Sequence, residues 1–292
     1  MTYVGRFAPS PSGPLHFGSL VAAFGSWLDA RANGGQWLVR IEDLDPPREV
    51  AGATEHILAS LNAHQLLSDA EVMYQSHRLA DYEKGIKVLM DNNQLYHCHC
   101  TRKQITALGG LHIRCASSAT QATDSDYALR LLVDNNPSDY HDTFHGTQSI
   151  PAQQANEDFV VKRKDGLHAY MLAVVVDDIY QGITHVIRGA DLAHSTRQQQ
   201  YLFNVFGHTA PQFGHLPMAM HPDGSKLSKQ TRAPAIDDSN PLQNLFNVLV
   251  FLNQALPDSI NEFANFNSLF DWAINNWDPT RFQGVTEKLA YS

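Results

Sequence analysis

The sequence predicts an α/β protein built on a doubly wound parallel sheet, and three observations carry that expectation. Apolar, strand-length segments alternate with segments of helical period through most of the 292 residues, a pattern that calls for crossover helices between parallel strands. The chain opens with an apolar lead-in at Tyr3, Val4 and Phe7, a turn of prolines and small residues, and an apolar helical run from Leu20 to Leu28. That is a strand, a loop and a helix N-terminus. Charged residues also close several apolar strands, among them Arg6, Glu42 and Arg188, and ligands of open α/β sheets bind outside the carboxyl ends of the strands.

The elements follow in order. The first helix is expected to start near Phe17 or Gly18. Small residues in the loop before it let backbone approach a phosphate, and the free N–H groups of the helix favour negative charge. Gln36 to Ile41 reads as a second strand entering the acidic turn Glu42, Asp43, Asp45, which Pro46-Pro47 closes. Thr54 to Leu67 and Leu79 to Met90 read as helices around a short strand, Val72 to Tyr74. Tyr127 to Val133 is a further strand and Asp139 to Gly146 a turn-bounded piece. From Asp158 the sheet is expected to resume with Phe159 to Lys162, a turn at Asp165-Gly166, an apolar segment of strand or buried-helix type at Tyr170 to Val176, and Thr184 to Ile187. Ser195 to Phe206 reads as a helix with Ser195 as N-cap, and further helices lie near 241–254, 259–264 and 268–276. The domains predicted are a catalytic core at 1–93 and 158–238, an insertion at 94–157, and a C-terminal helical region at 239–292.

Composition sets outer limits. With 43% hydrophobic and 17% charged residues the chain is globular and can bury a sizeable core. Its net charge of −9 argues against general coating of nucleic acid, which depends on neutralising phosphates. Any RNA contact has to use a local basic patch, and no DNA partner is expected. No apolar run approaches the roughly 18 residues of a membrane span, and the N-terminus lacks a basic region followed by a hydrophobic segment. A cytoplasmic protein without membrane association is expected, with a monomer favoured.

Cys98, Cys100 and Cys115 are the three cysteines of the chain and fall close together, with His112 just before the last. In a cytoplasmic chain this spacing fits a structural zinc site better than disulfides, because thiolates and an imidazole complete a tetrahedral shell. His97 and His99 compete for the fourth position, but their adjacency to the cysteines suits the geometry less well than His112. A closed site of this kind serves folding rather than catalysis.

The stretch Arg6-Phe7-Ala8-Pro9-Ser10-Pro11-Ser12-Gly13 with His16-Phe17-Gly18-Ser19 resembles the first signature of class I aminoacyl-tRNA synthetases in its glutamyl form. Four further landmarks follow in the order of that family: Arg40-Ile41-Glu42-Asp43-Leu44-Asp45, Val174-Val175-Val176-Asp177-Asp178, Val186-Ile187-Arg188-Gly189, and Lys226-Leu227-Ser228-Lys229-Gln230. The resemblance runs from residue 3 to about residue 235 and implies a Rossmann-type core whose insertion meets tRNA. It is strongest to the short glutamyl paralogues that act on the queuosine base in the anticodon of tRNA(Asp), since residues 230–292 leave no room for an anticodon-binding domain.

The resemblance implies that Arg6, Phe7, Ala8, Pro9, Ser10, Glu42, Tyr170 and Arg188 bind L-glutamate. Glu42 would hold the ammonium, and the arginines and Tyr170 the carboxylates, for which the planar guanidinium fork is suited. Val174 departs from the asparagine often found there, which predicts weaker or reoriented glutamate binding. The α-carboxylate is already ionised at neutral pH, so it attacks the α-phosphate of ATP without a general base. What the protein supplies is position and charge stabilisation. His16, the helix amides near Gly18 and Ser19, and Lys226 with Lys229 are assigned to this, the two lysines following a mobile turn at Asp223-Gly224-Ser225. In the family the last cysteine follows a tyrosine ligand; here His112 stands in its place, and imidazole is the better zinc ligand. ATP, L-glutamate and queuosine-containing tRNA(Asp) are the implied partners, with one structural Zn²⁺ and with Mg²⁺ carried on ATP. A truncated synthetase charging tRNA(Glu) and a non-catalytic, zinc-bearing RNA-binding paralogue are the alternatives.

Overall fold

The computed structural model describes residues 2–107, 109–115, 127–227 and 233–290. Strand β1 (Val4–Phe7) leads into α1 (Phe17–Ala32), and β2 (Gln36–Ile41), α2 (Ala53–Ala63), β3 (Met73–Tyr74) and α3 (Leu79–Asp91) follow. β1, β2 and β3 are parallel neighbours, with Arg6 opposite Leu38 and Arg40 opposite Met73. α1 is buried on nearly every side because it lies between the sheet and the C-terminal helices, which suits its almost continuous apolar sequence. Gly25 makes this possible: a Cβ there would stand 2.6 Å from Leu216 Cδ1. α2 stops short of the expected Leu67, since Gln65 adopts φ 56° just past the helix end.

The middle of the chain departs most from expectation. β4 (Leu95–Cys98), α4 (Arg102–Ala107) and β5 (Ala128–Leu131) precede the hairpin β6 (Asp139–Asp142) and β7 (Gly146–Ser149), then α5 (Ala152–Ala155) and β8 (Val160–Lys162). β8 does not resume the parallel sheet: it pairs antiparallel with β5, which pairs antiparallel with β4. β6 and β7, inside the stretch expected to be insertion, instead extend the parallel sheet through β10. Neither outcome is readable locally, because the partner of a short strand lies far away in sequence.

α6 (Tyr170–Tyr180) resolves the ambiguous apolar segment as a helix, and β9 (His185–Gly189), α7 (Thr196–Val205), β10 (Gln212–Leu216) and β11 (Met218–Met220) come next. β10 lies between β6 and β9, parallel to both. Thr184, just before β9, donates its N–H to Val4 O (2.9 Å) and accepts from Val4 N at its hydroxyl (2.8 Å), joining the two parallel sheets edge to edge. Ser195 holds the N-cap position of α7 but its side chain does not cap the helix. It is already in helical conformation at the end of a 3₁₀ turn, and its hydroxyl donates to Leu192 O at 2.7 Å.

α8 (Pro241–Phe251) and α9 (Phe266–Asn275) pack on α1, and β12 (Glu287–Leu289) pairs with β11. Trp277 Nε1 donates to Asp29 of α1 (2.9 Å), and the buried Phe282 meets Phe144 edge to face at 5.3 Å. The C-terminal region thus closes the main apolar core instead of standing apart from it.

Candidate active site and metal cluster

The carboxyl ends of β1, β2, β9 and β10 open on one cavity of about 550 Å³, as expected for an open α/β sheet. Arg6, Phe7, Ala8, Pro9 and Ser10 enter it from the end of β1, Glu42 from the end of β2, and Arg188 from β9. Tyr170 faces it from the start of α6, His16, Gly18 and Ser19 from the start of α1, and Lys226 from the segment after β11. Lys229 lies outside the described residues. Val174 is packed in the apolar cluster under α6 and α3, not in the cavity wall.

Local structure positions these groups. His16 is the N-cap of α1, and its Nδ1 accepts from Ser19 N at 3.3 Å. Gly18 leaves room for the imidazole, since a Cβ there would lie 3.2 Å from His16 Cε1. Lys226 Nζ is ion-paired with Asp191 Oδ2.

Under the cavity floor lies a charge network in which several residues had no sequence assignment. Asp178 accepts from Arg6 Nε and Nη2, both at 3.3 Å, and from Arg40 Nη1 at 2.8 Å. Arg40 is fully buried and also reaches Gln181 Oε1 (2.7 Å) and Glu42 Oε1 (3.4 Å). Asp177, next to Asp178 on α6, takes hydrogen bonds from Gln75, Arg78 and Tyr82. Burial alone would raise the Asp178 carboxyl, but the guanidinium groups of Arg6 and Arg40 hold it below the usual carboxylate range. Burial pushes Glu42 up, with Arg40 and Arg6 opposing the shift. The sequence signal for Asp177 and Asp178 was an acidic pair ending an apolar run. Arg188 reaches Gln199, Thr196 and His215, and His215 Nδ1 lies 2.5 Å from Asp142 Oδ2. Nothing local marked Asp142 or His215, which come from the hairpin and from β10.

A second cavity, of about 940 Å³, adjoins the first at Ser10, Ser12, Glu42, Arg48 and Tyr170. Its far wall comes from the cysteine-bearing segment, with Cys100, Thr101, Arg102 and Ile105, and it also carries Arg163, Lys164 and His168.

The ligand atoms of Cys98, Cys100, His112 and Cys115 lie within 4.8 Å of one another. His112 Nε2 is 3.4 Å from Cys98 Sγ, and Cys100 Sγ is 3.5 Å from Cys115 Sγ. Burial and the neighbouring thiols push Cys100 up to about 12; a divalent cation at their centre is what would let them ionise together. His112 Nδ1 faces Tyr96 OH at 3.2 Å, and that hydroxyl donates to Asp158 Oδ2 at 2.9 Å. With Nε2 turned to the thiols and the other ring nitrogen held by an outer hydrogen bond, the donor set fits a metal.

Residues 3–254 match the family of class I tRNA synthetases (E and Q), catalytic domain. The chain is 47% identical to the glutamyl-Q tRNA(Asp) synthetase of Vibrio cholerae, over 98% of this chain and 94% of that protein. It is 51% identical to the protein of the same name from Shewanella amazonensis, over 88% of each. The chain belongs to the glutamyl-Q tRNA(Asp) synthetase group of the class I tRNA synthetases. Its fold is also that of a glutamate tRNA ligase from Elizabethkingia meningosepticum, with a TM-score of 0.80 at 23% identity over 99% of this chain and 68% of that one. The parallel sheet and the cysteine-histidine cluster thus stand as the class I α/β fold with a site able to hold a metal.

Proposed function

We propose that this protein activates L-glutamate with ATP and transfers it to the queuosine base at the wobble position of tRNA(Asp). The observation that carries this reading is the single cavity in which Arg6, Glu42, Tyr170 and Arg188 face His16, Ser19 and Lys226, in a chain whose relatives bear that name. Glu42 holds the substrate ammonium. Arg6 and Arg188 meet the two carboxylates, and the Tyr170 hydroxyl contributes a further hydrogen bond. Because Asp178 already fixes Arg6 from behind, its guanidinium is oriented before substrate arrives. An oxygen of the α-carboxylate attacks the α-phosphorus of ATP, pyrophosphate leaves, and a hydroxyl of queuosine then attacks the acyl carbon to release AMP. His16, the amides near Gly18 and Ser19, and Lys226 with Lys229 stabilise charge on the phosphate oxygens.

Phe7, Ala8, Pro9 and Ser10 form the wall against which the amino acid lies. The RNA enters by the larger adjoining cavity, whose Arg48, Arg102 and Lys164 supply a local basic lining in a chain of net charge −9. An unstacked anticodon base offered to a pocket is a usual mode of RNA recognition. Cys98, Cys100, His112 and Cys115 hold one structural Zn²⁺, and Mg²⁺ arrives with ATP. The core takes in the hairpin at 139–149 along with 1–93 and the segment from α6 to 238, the insertion being built around β4, β5 and β8, and the protein works in the cytoplasm as a monomer.

The test is transfer of labelled glutamate, with ATP and magnesium, to tRNA(Asp) with and without queuosine and to tRNA(Glu). Label confined to queuosine-containing tRNA(Asp), recovered in an anticodon fragment after digestion, is the expected result. Label on tRNA(Glu) would mean a truncated charging enzyme, and label on neither a non-catalytic paralogue.

A further inference from the structure

Arg188 is a buried cation, 4% exposed, and its hydrogen-bond partners are all uncharged. Nη1 donates to Gln199 Oε1 (2.7 Å), Nη2 to Leu192 O (3.0 Å) and Thr196 Oγ1 (2.9 Å), and Nε to His215 Nε2 (3.2 Å). Among the described residues no carboxylate lies within hydrogen-bond distance of this guanidinium. Arg6 and Arg40, by contrast, both sit directly on Asp178.

The nearest acid bonded into the Arg188 network is Asp142, one residue removed. An Nε–H of arginine can only donate, so His215 Nε2 must be an unprotonated acceptor. Its proton is then on Nδ1, which donates to Asp142 Oδ2 at 2.5 Å. Asp142 is itself fixed, because Oδ1 accepts from the backbone N–H groups of Phe144 (2.9 Å) and His145 (3.0 Å). The sheet sets the row: His215 stands opposite Arg188 in the β10–β9 ladder, and Asp142 pairs with Phe213 in the β10–β6 ladder.

We propose that Asp142 and His215 are positioning residues for Arg188, holding its guanidinium toward the substrate carboxylate only while the His215 imidazole is neutral. This rests on the reading of Arg188 as a carboxylate-binding residue. Protonated His215 would turn an N–H toward the Arg188 N–H and set two cations in contact. The groups facing His215 are Asp142 and Tyr140 from β6, His145 from the hairpin turn, Arg188 from β9 and Thr196 from α7. Tyr170, Arg6, Asp178 and Asp191 act on Arg188 at longer range. Burial holds His215 below the ordinary imidazole value, and the Arg188 charge adds to that while the Asp142 hydrogen bond opposes it. The imidazole is therefore neutral at pH 7 and takes up its proton on the acid side, so glutamate binding weakens as pH falls.

The experiment is glutamate-dependent ATP–pyrophosphate exchange, measured over about pH 5 to 8, for the wild type and three variants. Asp142→Asn keeps an oxygen for the Phe144 and His145 N–H groups but turns an amide N–H toward Nδ1, which forces the imidazole proton onto Nε2. Its KM for glutamate is expected to rise about tenfold or more, corresponding to about 1.4 kcal/mol, with kcat and the KM for ATP changing far less. His215→Gln presents a carbonyl oxygen to Arg188 and cannot ionise; it is expected to raise the glutamate KM by less and to flatten its rise at acid pH. Arg188→Gln is expected to raise the glutamate KM at every pH. Wild-type KM values and an unchanged acid limb in both Asp142→Asn and His215→Gln, with Arg188→Gln impaired, would overturn the positioning role and leave the reading of Arg188 standing. An unchanged KM in Arg188→Gln would overturn that reading too. If Asp142→Asn does not fold, the acid limb of His215→Gln decides.

Discussion

The carboxyl-edge cavity draws its charged groups from residues spread between Arg6 and Lys226, whereas the cysteine-histidine cluster takes all four donor groups from residues 98 to 115. The cavity exists only because parallel strands separated by long crossovers end side by side. The cluster needs one strand, one short helix and the loop after it. The two also differ in how they balance charge. In the cavity, cations and anions are paired across elements, with Arg6 and Arg40 on Asp178. In the cluster, three thiols crowd one imidazole, a donor set able to hold a metal. One site is thus built by topology and the other by local spacing.

Breaking the cavity side is expected to have the largest effect. Arg40→Met would leave Asp177 and Asp178 buried beside a neutral side chain, and removing one partner of a buried ion pair costs about 3–5 kcal/mol. A denaturant midpoint lowered to match is the expected outcome of an unfolding titration. On the proposed reading Glu42→Gln removes the anion for the substrate ammonium; at about 1.5–3 kcal/mol for a hydrogen bond to a charged group, glutamate KM in pyrophosphate exchange should rise roughly 10- to 150-fold with folding intact.

The cluster should behave the other way. Cys115→Ser, or chelation, is expected to cost on the order of 2 kcal/mol, a Tm drop of about 3 °C for a chain of this size, with little change in glutamate KM. A large rise in that KM without a shift in Tm would mean that the cluster belongs to the chemistry after all. The smallest effect is expected from Trp277→Phe, which deletes the hydrogen bond to Asp29 while keeping an aromatic ring. The loss should be about 1 kcal/mol, readable as a small Tm decrease with unchanged exchange activity.

Much of the fold was legible because burial imposes a period. β1, β2 and α3 lie within a residue or so of where continuous apolar runs or helical spacing placed them, while α1 runs on to Ala32 and α6, whose segment suited strand or helix alike, to Tyr180, four residues past their apolar runs. β10 went unread, since Gln-Phe-Gly-His-Leu carries two apolar side chains and a glycine; it is a central strand because β6 and β9 flank it, not because of its own pattern. β8 was read as a strand but placed in the wrong sheet, and the hairpin at 139–149 was read as insertion although it joins the main sheet. Ser195 looked like a cap because serine at a helix start usually is one, yet the preceding 3₁₀ turn takes its hydroxyl. The candidate site divides in the same manner. Arg6, Glu42, His16 and Arg188 were visible at strand ends and in motifs, and the cluster by its cysteines. Arg40 and Asp178 stood in quoted motifs without an assigned role, and His215 and Asp142 were not marked at all, since a residue that acts on another residue across the sheet shows its partner only in the fold.

By itself the sequence determined the class of the fold and the donor set of the cluster, which follow from periodicity and ligand spacing within short stretches, and it marked the residues facing the cavity through the motifs shared with class I synthetases. Only the tertiary structure decided which strands share a sheet, that the last helices close the core over α1, and that Asp178 and the Asp142–His215 pair stand behind the cavity arginines. Those outcomes depend on contacts between residues tens to hundreds of positions apart, such as Asp142 with His215 and Arg6 with Asp178. They are settled by which distant partners satisfy a buried charge or an open strand edge, a condition that no short window of sequence contains.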